Sequence, residues 1–181
     1  MYGGSAVAGV LFGEINPSGR LPISFPRHSG QVPVYYNQLP GWHGEKYIDL
    51  PKGALYTFGY GLSYSEFEFT NLKCPAQISA GKCDDISISI DVTNKSKTDG
   101  TSIVQLYFRD MVSSIISTPV KQFKGFERVF VKAGETKTVN FKLPPEELKI
   151  TDHNLTKVLE KGVFKLFAGD GNYLETEFEI I

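Results

Sequence analysis

The sequence predicts a mainly β chain: a β-sandwich of about seven short strands, preceded by an irregular N-terminal arm carrying one short helix. Three observations predict it. Beyond residue 65 polar and apolar residues alternate in short runs. The clearest sets Ile86, Ile88, Ile90 and Val92 against Ser87, Ser89, Asp91 and Thr93, and a period of two marks a half-buried strand. Turn residues separate these runs at roughly the 8–12-residue spacing of sandwich strands. Before residue 65 the period is missing, and Gly30, Pro33, Pro40, Gly41, Gly44 and Pro51 break up the chain.

The elements follow in order. Residues 4–13, GSAVAGVLFG, read as a short helix with Ser5 as N-cap and Gly13 as its close. Almost every face is apolar, and a lone helix of this length is marginal in water, so it needs a partner surface. Asn16-Pro17-Ser18-Gly19 reads as a turn. Arg20 to Pro26 is extended and bracketed by prolines, which fits an edge strand at best. Arg27 to Gly53 has no period. A stretch this irregular argues against a self-contained domain there and fits a strap lying across another surface.

Tyr56 to Phe69, YTFGYGLSYSEFEF, is the joint. Gly59 and Gly61 flank Tyr60, where the backbone can take positive φ or lie close to another surface. Alternation begins at Ser65. The strands that follow are Ile86–Thr93, Ile103–Phe108, Phe123–Val131 with Gly125 as a candidate bulge, Val139–Leu143, Val163–Ala168 and Glu175–Ile181. Residues 94–100, 133–135 and 161–162 read as turns, and so does Ile78 to Gly81. Pro144-Pro145-Glu146-Glu147-Leu148 suggests one helical turn opened by proline.

Composition excludes several classes. A chain of 181 residues is one domain, or one with a substantial extension. Net charge is −1, with acids and bases interspersed, which argues against a nucleic-acid or anionic-membrane partner. No apolar run approaches a membrane span. No signal peptide is visible after Met1, and the compartment is not legible. Cys74 and Cys83 flank the expected turn. They are either bonded across a strand pair or two small thiols, and no zinc spacing is present.

The chemistry-bearing residues do not converge. His28, His43 and His153 have no ligand or triad partners at useful spacing, so no metal is expected, and no cofactor motif appears. Gly59-Tyr60-Gly61 opens no helix, and there is no nucleophile elbow. Glu66 and Glu68 alternate outward on a strand, Glu146-Glu147 open a turn, and Glu14 ends the helix. Acid/base chemistry by paired carboxyls needs two of them close together in a cleft, and these acids read as solvated surface. Asn94-Lys95-Ser96 and Asn154-Leu155-Thr156 fit the glycosylation triplet. The aromatics Tyr35, Tyr36, Trp42, Tyr47, Tyr56, Phe58, Tyr60 and Tyr64 are the candidate functional residues. They either seal the sandwich against other domains or stack on sugar. Left uncovered, such a surface favours self-association.

The wording of the chain carries a resemblance as well. GVLFGEINPSGRLPISFP, GQVPVYYN and ALYTFGYGLSYSEFEF, in that order, resemble the closing segments of glycoside hydrolase family 3. VTNKSKTDGTSIVQLYFRD, TPVKQFKGFERV and AGETKTVNF are similar to the domain that ends many members. That resemblance implies an immunoglobulin/fibronectin type III-like sandwich at 65–181 and an aromatic-rich linker strap at 31–64. It implies that residues 1–30 are the last helix and edge strand of an α/β sandwich domain. It further implies a parent β-glucosidase or β-xylosidase acting with retention, with its catalytic aspartate and glutamate upstream of the matched part. The partners would be the catalytic domains of that parent. The chain itself is then expected to carry no catalytic, metal or cofactor residues and to act as an accessory module. The alternative is a carbohydrate-binding module using aromatics of the 35–64 strap.

Overall fold

The computed structural model describes residues 3–41, 49–51, 53–80 and 84–181. Helix α1 spans Gly3–Leu11, so Ser5 lies inside its first turn instead of capping it. Gly13 follows with φ of +80°, in the left-handed region. A 3-10 turn covers Ser29–Gln31.

The alternating runs become two packed sheets. β1 (Phe67–Lys73), β3 (Ile86–Asn94) and β6 (Thr136–Leu143) form a three-stranded antiparallel sheet in the order β1-β3-β6. The second sheet contains β2 (Gln77–Ile78), β4 (Gly100–Asp110), β5 (Gln122–Val131), β9 (Gly162–Asp170) and β10 (Asn172–Ile180), in the order β2-β10-β9-β4-β5. β7 (Ile150–Thr151) and β8 (Lys157–Val158) make a separate short ladder. Among the described residues seven long strands thus carry a fibronectin type III-like sandwich, with one α-helix near the N-terminus.

The core lies between the sheets. Ile86, Ile88, Ile90 and Val92 from β3 meet Val104, Leu106 and Phe108 from β4 and Phe164, Leu166 and Ala168 from β9. Phe69, Val139, Phe141, Phe178 and Ile180 complete it, and Leu148 of the 3-10 turn Pro145–Leu148 closes one end. Burying a side chain of this kind contributes about 1.5–3 kcal/mol.

One local reading resolves in full and another in part. Register steps from Leu106↔Gly125 to Tyr107↔Phe123, so Lys124 has no residue opposite and the strand bulges beside Gly125. Gln77 and Ile78 run parallel to the end of β10, where the Ile181 N–H donates to the Ile78 carbonyl at 2.9 Å. The chain turns at Ala80, and the rest of the turn expected over Ile78 to Gly81 lies outside the described residues.

Candidate functional site

Part of the arm lies across the sandwich itself; residues 42–48 and 52 of the expected 31–64 strap lie outside the described residues. Residues 21–25 and 55–60 form an irregular antiparallel ladder. The Leu21 N–H donates to the Tyr60 carbonyl at 2.9 Å, the Gly59 N–H to the Leu21 carbonyl at 2.8 Å, and the Phe25 N–H to the Tyr56 carbonyl at 2.7 Å. Ser24 Oγ accepts from the Phe58 N–H at 3.1 Å. Gln31 is buried and spans the next loop: its Oε1 accepts from the Arg27 N–H at 2.7 Å and its Nε2 donates to the Gly53 carbonyl at 2.8 Å.

This ladder covers the outer face of the five-stranded sheet. Tyr36 stacks on Phe58 with ring centroids 4.4 Å apart. Phe58 meets Phe123 edge-on at 5.2 Å, and Tyr107 meets Phe123 at 5.3 Å and Tyr173 at 5.4 Å. Gln105, on the same face, donates from Nε2 to the Gly59 carbonyl at 3.0 Å and accepts from the Tyr107 hydroxyl. Residues 104–108 are consequently buried without interruption, because β4 is covered on both faces. Lys121 Nζ sits over the same cluster, 3.4 Å from the Tyr173 ring centroid and 4.2 Å from that of Tyr107. Burial pulls its ammonium down to about 8, and pushes both tyrosine hydroxyls up.

Two polar clips fasten the arm. Asn16 uses its whole amide: Nδ2 donates to Ser65 Oγ at 2.8 Å and to the Asp99 carbonyl at 2.9 Å, while Oδ1 accepts from Ser63 Oγ and the Tyr64 N–H. Arg20 makes a two-pronged bond to Asp170 in the β9–β10 turn, Nε to Oδ1 at 2.7 Å and Nη2 to Oδ2. Neither clip was legible in the sequence.

The candidate aromatics therefore divide. Tyr36 and Phe58 are half-buried against the sheet. Tyr35, Tyr56, Tyr60 and Tyr64 are exposed. Tyr56 and Tyr60 lie side by side, centroids 5.0 Å apart, and the Tyr64 hydroxyl donates to the Val10 carbonyl of α1 at 2.6 Å. Trp42, Tyr47, Glu45, His43 and Cys83 lie outside the described residues. Around Tyr64 the surface is strongly apolar: Phe12 is 84% exposed, Leu11 72% and Leu62 69%.

Several of the described carboxylates have local partners. Glu68 pairs with Lys95 at 3.1 Å, Glu146 with Lys149 at 2.6 Å and Glu147 with Lys124 at 2.9 Å. Asp110 is buried; burial pushes its carboxyl up while its Oδ1 accepts from the Val112 N–H at 3.2 Å. Glu160 accepts from the hydroxyls of Ser113 and Ser114, which hold its carboxyl below the usual range. Among the described residues no group of three or more His, Cys, Asp or Glu is placed to hold a metal. Cys74 is a half-buried free thiol. The Asn94 amide is fully enclosed, donating to the Thr98 and Val131 carbonyls at 2.9 and 3.0 Å, whereas Asn154 is exposed.

A two-sheet module with an N-terminal arm and helix clipped to it defines the class: a fibronectin type III-like sandwich with an N-terminal extension packed on it. Residues 102–172 match the fibronectin type III-like domain, and residues 1–64 match the glycosyl hydrolase family 3 C-terminal domain. The chain belongs to glycosyl hydrolase family 3, of which it carries the C-terminal segment.

The relatives agree. The chain is 44% identical over 179 residues to a periplasmic beta-glucosidase of Salmonella typhimurium, covering 92% of the chain and 23% of that protein. It is 37% identical over 181 residues to a putative beta-xylosidase of Formosa agariphila, covering 99% and 24%. Among solved structures it is similar to the beta-glucosidase of Listeria innocua in complex with isofagomine. That match has a TM-score of 0.90 at 37% identity, covering 98% of this chain and 26% of that one. The chain thus spans about a quarter of the length of the curated relatives it matches.

Proposed function

We propose that this chain is a non-catalytic C-terminal module that braces the catalytic domains of a larger retaining β-glycosidase, with a β-glucosidase as the leading parent. In this reading residues 1–30 belong with the catalytic α/β layer, 31–64 are the linking strap and 65–181 are the bracing sandwich. The observation that carries it is the exposed apolar surface of Leu11, Phe12, Leu62 and Tyr64 beside a sandwich whose core is buried. Apolar patches of this kind mark docking faces, and aromatic rings suit them. The dispersed, locally engaged carboxylates support the same reading, because hydrolysis with retention needs a close pair in a cleft. The free module would associate with itself through the same surface.

The paired Tyr56 and Tyr60 favour a second reading, a carbohydrate contact. Affinity electrophoresis through soluble glucan tests it: retardation lost in Tyr56→Ala/Tyr60→Ala supports sugar contact, and unimpeded migration removes it.

The deciding experiment is turnover of an aryl β-glucoside and an aryl β-xyloside by the purified chain. No turnover, with cooperative unfolding showing a folded chain, is expected. Turnover that survives repurification and is lost on substituting Glu14, Glu45, Asp49 or Asp110 would overturn the accessory reading.

A further inference from the structure

We propose that the groove between the arm and the edge of the five-stranded sheet binds a small aryl carboxylate, its ring against Leu21 and Phe126 and its carboxylate on Arg128. The groove encloses about 410 Å³, within the roughly 300–1,000 Å³ of small-ligand sites. β5 is an edge strand, and its register sets Arg128 opposite Ile103 and Phe126 opposite Gln105. One wall is Leu21, fixed by its two backbone bonds to residues 59 and 60. The floor is the edge-on pair Phe58 and Phe123. Phe126, 58% exposed, forms the open lip.

The charge requirement follows by elimination. Arg20 also lines the groove, but its guanidinium is committed to Asp170. The Gln105 amide is committed to Gly59 and Tyr107. Among the described residues no hydrogen bond or ion pair engages the guanidinium of Arg128. Apolar walls with one uncommitted cation at the mouth suit a ligand with a flat apolar body and one negative charge. A guanidinium takes a carboxylate in a bidentate fork. Sugar fits poorly, because the walls offer few partners for its hydroxyls. A polypeptide partner would need a far wider face, about 800 Å² per side.

The test titrates the whole chain with sodium cinnamate and with cinnamyl alcohol, its uncharged counterpart, followed by ligand-observed NMR. Saturation by cinnamate at millimolar concentration is expected, with weaker binding of the alcohol. Arg128→Gln, checked for an unchanged unfolding midpoint, should weaken cinnamate about tenfold or more and leave the alcohol unaffected. Phe126→Ser should weaken both. The proposal fails if cinnamate does not saturate, if its affinity survives Arg128→Gln, or if the alcohol binds equally well.

Discussion

Arg20 and Asp170, far apart in the chain, meet as a bidentate ion pair with both side chains almost wholly buried, 11% and 7% exposed. Arg20 belongs to the arm and Asp170 to the turn between the last two strands. The pair therefore sets where the arm sits on the sandwich. Removing one partner leaves an unpaired buried charge, which costs about 3–5 kcal/mol. Arg20→Ala and Asp170→Ala should each lower stability by that order in urea unfolding. The double variant should cost clearly less than the sum, and strict additivity would show that the two groups do not interact.

Gly59 predicts a sharp contrast between glycines. Its φ is +80°, and a Cβ there would stand 2.1 Å from Gln105 Oε1. Gly41 has a similar φ of +78° but no atom of the described residues within 4 Å of an added Cβ. Gly41→Ala should cost only the left-handed backbone term, about 1–2 kcal/mol. Gly59→Ala must also drive Gln105 off the Gly59 carbonyl and the Tyr107 hydroxyl, adding roughly 1–3 kcal/mol. Equal unfolding midpoints for the two variants would contradict the packing of the strap on β4.

These two sites show where sequence reading succeeds and where it stops. The strand from Ile86 to Val92 was legible because a period of two is a local property. Its buried residues are the ones the alternation picks out. The strap's irregularity was legible too, since prolines and glycines act locally. Its resting place was not, because Gln105 and Asp170 lie far along the chain from Gly59 and Arg20. One signal existed: Val104-Gln105-Leu106-Tyr107-Phe108 holds a single polar residue, and a near-continuous apolar strand is covered on both faces. Gln105 supplied that break in the run and is itself the hydrogen-bonding seat of the strap.

Lys121 predicts an unusual pH response. Its ammonium is held down to about 8 by burial, below the usual lysine value of about 10.4. Cation–π attraction from Tyr107 and Tyr173 favours the charged form by about 0.5–2 kcal/mol, which opposes the shift without reversing it. Between about pH 8 and 10.4 the unfolded chain therefore binds more protons than the folded one, and stability rises with pH across that window. Tyr107 and Tyr173, both raised by burial, act in the opposite sense. Their unfolded forms lose protons first near pH 10, so stability falls above it. Cys74, raised to about 11 by burial, loses its proton first in the unfolded chain and opposes the climb over the same window. The test therefore uses a Cys74→Ala background: there urea midpoints should climb from pH 8 to about 9.5, and adding Lys121→Met should flatten that climb. A climb of the same size in the variant would place the titrating group elsewhere.

Cys74 tests how firmly the short end of β1 is packed. Burial pushes its thiol up to about 11, and the thiolate is the species that reacts. At pH 8 its thiolate fraction is then about a hundredfold below that of an ordinary cysteine. Iodoacetamide should label Cys74 about a hundredfold more slowly in the folded chain than in urea, as read by mass spectrometry of its peptide. Leu72 and Cys74 both pack on the sandwich core, so a core-loosening change such as Phe69→Ala should restore fast labelling before it abolishes folding. Rapid labelling of the unaltered folded chain would mean that β1 opens readily, and that the three-stranded sheet is less stable than its buried residues indicate.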